Sequence, residues 1–187
     1  MKRYVLGSLL AAAAMFVWGA VFWMSPIPMS VMKTSSDDAA LGQALNSYIP
    51  ETGTYFVPGM SEDHAAMERL HEAGPVAMIH IEREGSPAMD PKVFIKGYIH
   101  LVGVALLSGW LLSLALPSLG GYASRVGFVL LLGVTASFAY DLGSTVWWPI
   151  QTGWALVGVL DNVVNWTIAG LVLAAFFKPD SSASATT

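Results

Sequence analysis

Four polar side chains, two of them carboxylates, lie within or at the rim of two segments that are apolar enough to cross a bilayer. They are Asp141, Asp161, Asn162 and Asn165. A polar group in hydrocarbon is costly, so each one needs a partner or a functional role. Candidate partners occur in the preceding apolar segment, where Lys96 and His100 are four residues apart and share one helix face.

Three interpretations of this intramembrane polar cluster are open, and in one of them the groups are exposed to water without a role. In the first, Lys96 pairs with Asp141, or His100 with Asp161, and each pair neutralises both of its members. In the second, the carboxylates and amides form a proton-linked or substrate-binding site. Both carboxylates are expected near the outer leaflet, where water and headgroups are within reach.

Small residues repeat along the last three apolar segments and indicate close helix packing, because lipid supplies no hydrophobic drive between helices. The stripes are Ala105, Gly109 and Ser113; Gly133, Ser137 and Asp141; and Gly158, Asn162, Asn165 and Ala169. We expect the three stripes to face each other. They serve either tight packing with hydrogen-bonded polar groups or a polar pathway between the three helices.

A second group with chemical potential is His64, Met67 and His71, whose spacing places them on one face of a predicted helix. Imidazole and thioether ligands without cysteine suit copper, especially Cu(I). Alternatively, Met67 and Leu70 form the buried stripe of an ordinary amphipathic helix, with exposed histidines beside it.

Other chemistries find no support in the sequence. The chain has no cysteine, which excludes disulfides and thiol catalysis. Motifs of serine hydrolases, zinc proteases and phosphate loops do not occur. His100 is the only histidine in an apolar segment, so a pair of intramembrane haem ligands is lacking within the chain. The formal net charge of -4 argues against nucleic acid as a partner, and no cofactor is predicted apart from the possible copper ion.

The composition predicts an integral membrane protein, with 55% hydrophobic and only 12% charged residues among 187. Four apolar segments define an all-α bundle of four transmembrane helices. The first lies in 1–25 and the other three in 93–178. Asp90-Pro91 marks a helix start before the second span, and the third span is expected to run from about Arg125 to Leu142. A signal peptide is the alternative for the first, but its length and its terminal tryptophans favour an uncleaved helix.

Residues 26–92 carry ten of the thirteen acidic residues and form a small α+β insertion between the first two spans. Helix starts at Ser36-Asp37-Asp38 and Ser61-Glu62-Asp63 alternate with the strand-like runs GTYFV and PVAMIHIER. A unit of this size buries only a small core by itself, so we expect it to pack against the membrane face or against a partner.

The basic residues predict how the chain is threaded. Lys2, Arg3, Arg125 and Lys178 fall at helix ends that alternate threading assigns to one side. By the positive-inside rule that side is the cytoplasm, so both termini are cytoplasmic and residues 26–92 are periplasmic. The polar tail at 179–187 is predicted to be a disordered cytoplasmic segment.

Three stretches carry a resemblance. They are WGAVFWMSPIP at 18–28, PETGTYFVPGM at 50–60 and NWTIAG at 165–170. Together they resemble small bacterial inner-membrane proteins of uncharacterised function. The resemblance implies a bacterial inner membrane and transfers no catalytic residue.

Three functions are therefore carried forward. The first is a non-enzymatic accessory or structural subunit that packs against a larger membrane complex or copies of itself, embedded in the lipid bilayer. The second is a periplasmic copper-handling protein that uses His64, Met67 and His71. The third is a small transporter or proton-linked element that uses Asp141, Asp161 and Asn165.

Overall fold

The computed structural model describes residues 2–178, and the predicted tail at 179–187 lies outside them. The fold is mostly helical, with one two-stranded sheet. The elements in order are α1 Lys2–Trp23, α2 Pro26–Met29, α3 Asp38–Tyr48, β1 Gly53–Val57, α4 His64–Ala73, β2 Ala77–Ile81, α5 Pro91–Ala115, α6 Tyr122–Ser137, α7 Gly143–Trp147 and α8 Thr152–Phe176.

Four helical segments of the described chain are long and apolar enough to cross a membrane. They are Lys2–Trp23, Pro91–Ser118, Tyr122–Trp147 and Thr152–Phe176. The second begins where the sequence predicts, because the side chain of Asp90 caps the Lys92 amide and Pro91 occupies the first turn. This agrees with a multi-pass membrane protein.

The third span is longer than the prediction, which ended it at Leu142. A π-helical turn, Phe138–Leu142, joins α6 to α7 without a break, and Gly143 keeps helical backbone angles. The hydroxyls of Ser144 and Thr145 donate to the carbonyls of Asp141 and Leu142, at 2.7 and 2.8 Å. The helix therefore continues to Trp147, and Pro149 disfavours further helix beyond it.

Within the bundle, α8 packs against both α1 and α6, and α5 packs chiefly against α1. The stripes of α6 and α8 meet as expected: a side-chain atom added at Gly133 would strike Trp166, and Gly158 faces the carboxylate of Asp141. The stripe of α5 joins them only in part. Ala105 is buried in the same core as Ala169, whereas Gly109 lies under Phe177, and α5 makes most of its contacts with α1.

The basic residues gather at one end of the bundle. Arg3 Nη2 donates to the carbonyl of Lys178 at 2.7 Å, and the buried Arg125 donates through Nε to the carbonyl of Ala174 at 3.3 Å. Both arginines therefore bind the C-terminal end of α8, whose last carbonyls have no helical partner. The insertion lies at the opposite end of α1 and α5.

The insertion has the predicted α-β-α-β order. Asp37 and Asp63 cap α3 and α4 through their side chains, and β1 pairs antiparallel with β2, Gly53 opposite Ile81. The guanidinium of Arg83 donates to the carbonyl of Ile49. Contact with the bundle includes the ring of Phe56, which lies 6.3 Å from that of Trp148.

The insertion has little core of its own. Neither α3 nor α4 contains a buried residue, and both strands are only half-buried. Leu70, which the amphipathic pattern placed in a buried stripe with Met67, is 60% exposed, so that interpretation of α4 is wrong. The cause is that α4 has no element packed over its apolar face.

Candidate functional site

The carboxylate of Asp161 is held by two indoles from the first span. Trp18 Nε1 donates to Oδ1 and Trp23 Nε1 to Oδ2, both at 2.8 Å. Asp161 is 8% exposed and lies in the tenth position of α8. Each carboxylate oxygen therefore accepts one hydrogen bond from a neutral donor and can accept a further one.

The indoles belong to an aromatic cluster around the carboxylate. The ring of Trp18 lies 5.6 Å from that of Phe22, Phe22 lies 5.6 Å from Trp23, and Trp23 lies 5.7 Å from Trp154 of α8. These contacts connect α1 to α8 at the level of Asp161. They also fix the indole planes, so the donors are directed before any ligand binds.

The second carboxylate is placed by the π-helical turn. Asp141 Oδ2 accepts a hydrogen bond from Asn162 Nδ2 at 2.8 Å. The approach is possible because Gly158 lies opposite, where an added side-chain atom would be 3.3 Å from Asp141 Oδ1. Single π-helical turns are common at functional sites, because they turn one side chain out of the regular register.

Two adjoining cavities contain most of the predicted polar cluster. The first, of about 410 Å³, is lined by Asp161 and by apolar side chains of α1 and α5. The second, of about 280 Å³, is lined by Asp141, Asn162 and Ser137. His100 and Asn165 line both cavities and so mark the boundary between them.

Lys96 is the exception among the predicted cluster residues. It is exposed on α5 and lines neither cavity. Within residues 2–178, hydrogen bonds from neutral donors are found in place of the predicted ion pairs: the indoles donate to Asp161, and Asn162 donates to Asp141.

Polar atoms in the cavity walls remain unpaired within the described chain. Asn165 Oδ1 and Ser137 Oγ are both buried without a hydrogen-bond partner, and Ser137 is 3% exposed. Such atoms are costly where water is excluded. Asn165 lines both cavities and Ser137 lines the second, but these two atoms are themselves enclosed by protein.

The candidate copper ligands lie apart from this site. His64, Met67 and His71 share one depression on α4 with Glu68 and Glu72. Both histidines are exposed and Met67 is half-buried. No group of three or more histidine, aspartate or glutamate side chains placed to hold a metal occurs in the part of the chain that the structure describes. Copper binding by the two imidazoles and the thioether remains a prediction.

Sequence reasoning missed the two donors to Asp161. In the sequence, Trp18 and Trp23 favour an uncleaved first helix and carry no assigned hydrogen-bond partner. The available signal was depth: both indoles lie near the insertion end of α1, and Asp161 lies near the insertion end of α8. An indole N–H in that position requires an acceptor.

Comparison with known proteins adds no assignment: no family model, curated protein or solved structure matches the chain. The polar cleft, defined here as the two cavities with Asp141, Asp161, Asn162, Asn165 and His100, is therefore interpreted from its own geometry. The resemblance to bacterial inner-membrane proteins stays a prediction.

Proposed function

We propose that the chain is a non-enzymatic accessory subunit of the bacterial inner membrane, whose insertion docks onto a larger membrane complex. The observation that carries this proposal is the insertion's small core, since Pro28 and Ile49 are its only buried residues among 26–92. An isolated two-stranded sheet is marginally stable in water, and here α3 and α4 add no buried residue to it.

Exposed apolar side chains on the insertion support the same function. Met60 is 90% exposed, Leu70 is 60% exposed and Met32 is 50% exposed. Large apolar residues in an extramembrane unit with almost no core are typical of a surface that is covered in an assembly. Methionine suits such a surface, because its flexible side chain adapts to a partner.

The threading in this proposal follows the charge rule. The arginines that bind the end of α8 are assigned to the cytoplasm, and the insertion, with its local excess of acidic residues, is assigned to the periplasm. The docking surface would then face the periplasm, and both termini would be cytoplasmic.

Purification from native membranes in a mild detergent tests the docking function. The proposal predicts stoichiometric co-purification of one or more membrane proteins, or a defined homo-oligomer if copies of the chain cover the surface. Replacing Leu70 by Ser should reduce the recovery of the partner. The matched substitution Leu107→Ser, at a 61% exposed site on α5, tests whether any loss of apolar surface has that effect. A clean monomer without partners would contradict the proposal.

A small transporter or proton-linked element is the second candidate, and the polar cleft favours it. Carboxylates that line a cavity between spans are typical of substrate and proton pathways. The substitution Asp161→Asn tests this candidate in any transport or growth assay that responds to the chain. Unchanged activity would remove its main support.

A further inference from the structure

The first cavity of the polar cleft combines an anionic end with apolar walls. Asp161 and Asn165 lie in its lining together with Phe16, Trp23 and Phe94. Met24 and Met89, at the insertion ends of α1 and α5, also line it. Cavities of about 300–1,000 Å³ are typical of small-molecule sites, and about 410 Å³ falls in that range. The shape suits an amphipathic molecule with its polar end at Asp161.

The groups available to a ligand at the polar end are mostly acceptors. Each Asp161 oxygen takes one indole hydrogen bond and can accept another. Oδ1 of Asp141 can likewise accept, since Asn162 binds only Oδ2. A ligand that donates hydrogen bonds therefore fits better than one that accepts them.

The charge of the site selects the kind of donor. Two carboxylates line the cleft, and His100 is the only basic side chain among the described residues of its lining. The donors that bind the carboxylates are neutral indoles and an amide. An organic cation would supply the missing positive charge, and the lining also contains the aromatic side chains of Phe16 and Trp23.

From these features we propose that the first cavity binds an amphipathic organic ammonium ion. Its ammonium group donates to Asp161, and its apolar part lies along Phe16, Trp23 and Phe94. A free amine and the headgroup of phosphatidylethanolamine share this chemistry. The inference does not depend on the docking function, because the cavity lies between the spans and the docking surface is on the insertion.

Calorimetric titration of the full chain in phosphatidylglycerol nanodiscs tests the site, with empty discs as the blank. The probes are 2-phenylethylammonium and 2-phenylethanol, which share a skeleton and differ in charge. The proposal predicts saturable binding of the ammonium probe, at least about tenfold tighter than the alcohol. Equal affinity for the two probes, or no binding of either, would overturn the proposal. This comparison uses the unmodified protein and needs no variant.

Two substitutions locate the binding. Asp161→Asn should weaken the ammonium probe at least about tenfold and leave the alcohol unchanged, because the charge is lost and the size is kept. Glu62→Gln removes a negative charge from the exposed insertion and should change neither affinity. Undiminished ammonium binding by Asp161→Asn would refute the assignment to this cavity.

The lipid composition distinguishes the two sources of the ligand. If phosphatidylethanolamine in the disc competes with the ammonium probe, the site takes a lipid headgroup. If it does not compete, the site takes a free amine. Competition and its absence are both consistent with an ammonium site at Asp161, provided that the ammonium probe binds in phosphatidylglycerol discs.

Discussion

Removing one indole donor from Asp161 should destabilise the bundle by a predictable amount. Trp18→Phe keeps an aromatic ring and deletes the N–H that donates to Oδ1 at 2.8 Å. Interhelical hydrogen bonds in membranes average about 0.6 kcal/mol and reach about 1.7. A bond to an ionised group is about twice as strong as a neutral one. We therefore expect a loss of about 1–2 kcal/mol in the free energy of unfolding.

The same reasoning predicts strong non-additivity. Asp161→Leu leaves the indoles of Trp18 and Trp23 without their acceptor and should cost about 1–3 kcal/mol. The triple variant Trp18→Phe/Trp23→Phe/Asp161→Leu removes the carboxylate and both indole donors together, so none of these groups is left unpaired. That variant should be more stable than the sum of the separate losses predicts, by at least about 1 kcal/mol.

Unfolding in mixed micelles of a mild detergent and dodecyl sulfate measures these differences. Trp110→Phe is the matched control, because Trp110 is 61% exposed on α5 and its indole makes no hydrogen bond within the described chain. It should change the stability by less than about 0.5 kcal/mol. A Trp18→Phe loss no larger than that of the control, or additive losses in the triple variant, would refute the role of the indoles.

Three further predictions follow from the packing and the candidate metal ligands. Gly133→Ala should destabilise by about 1–3 kcal/mol, because the added methyl group meets the stem of a tryptophan on α8. Gly127→Ala, in the same helix with open space beside it, should be neutral or stabilising, and equal effects would contradict the packing. Asn162→Ala should cost about 1–2 kcal/mol by the same unfolding assay, because it loses its bond to the carboxylate of Asp141 on the third span; a cost within error of zero would contradict a stabilising role of that bond. A copper site on α4 predicts copper in the purified protein and none in the variant His64→Ala/His71→Ala, and equal, negligible copper in both removes it.

The elements of the insertion and the starts of the spans could be predicted because their signals are local. Asp37, Asp63 and Asp90 each cap a helix through the side chain, as a capping residue before a helical pattern predicts. The end of the third span could not be predicted in the same way. Gly143 resembles a helix stop in sequence, but the hydroxyls of Ser144 and Thr145 stabilise the continuing helix.

The polar cleft was predictable in part. Periodicity places Asp141, Asn162 and Asn165 on inward faces, and the structure brings them together around two cavities. The partner of Asp161 could not be read from the pattern, because its donors lie 143 and 138 residues away in α1. Periodicity defines the face of a helix but not which helix packs against it. Lys96 is four residues from His100 and was expected to share its face, but it lies outside the cleft.

The central claim, that the insertion is covered by a partner, is tested most directly by photo-crosslinking in native membranes. A photoreactive amino acid placed at Leu70 on α4 should give a discrete adduct with one protein. The same group at Leu131, which is 63% exposed on α6, is the matched position within a span. A discrete protein adduct at Leu70 supports the account, whereas no protein adduct at Leu70 under conditions that label lipid at Leu131 would contradict it.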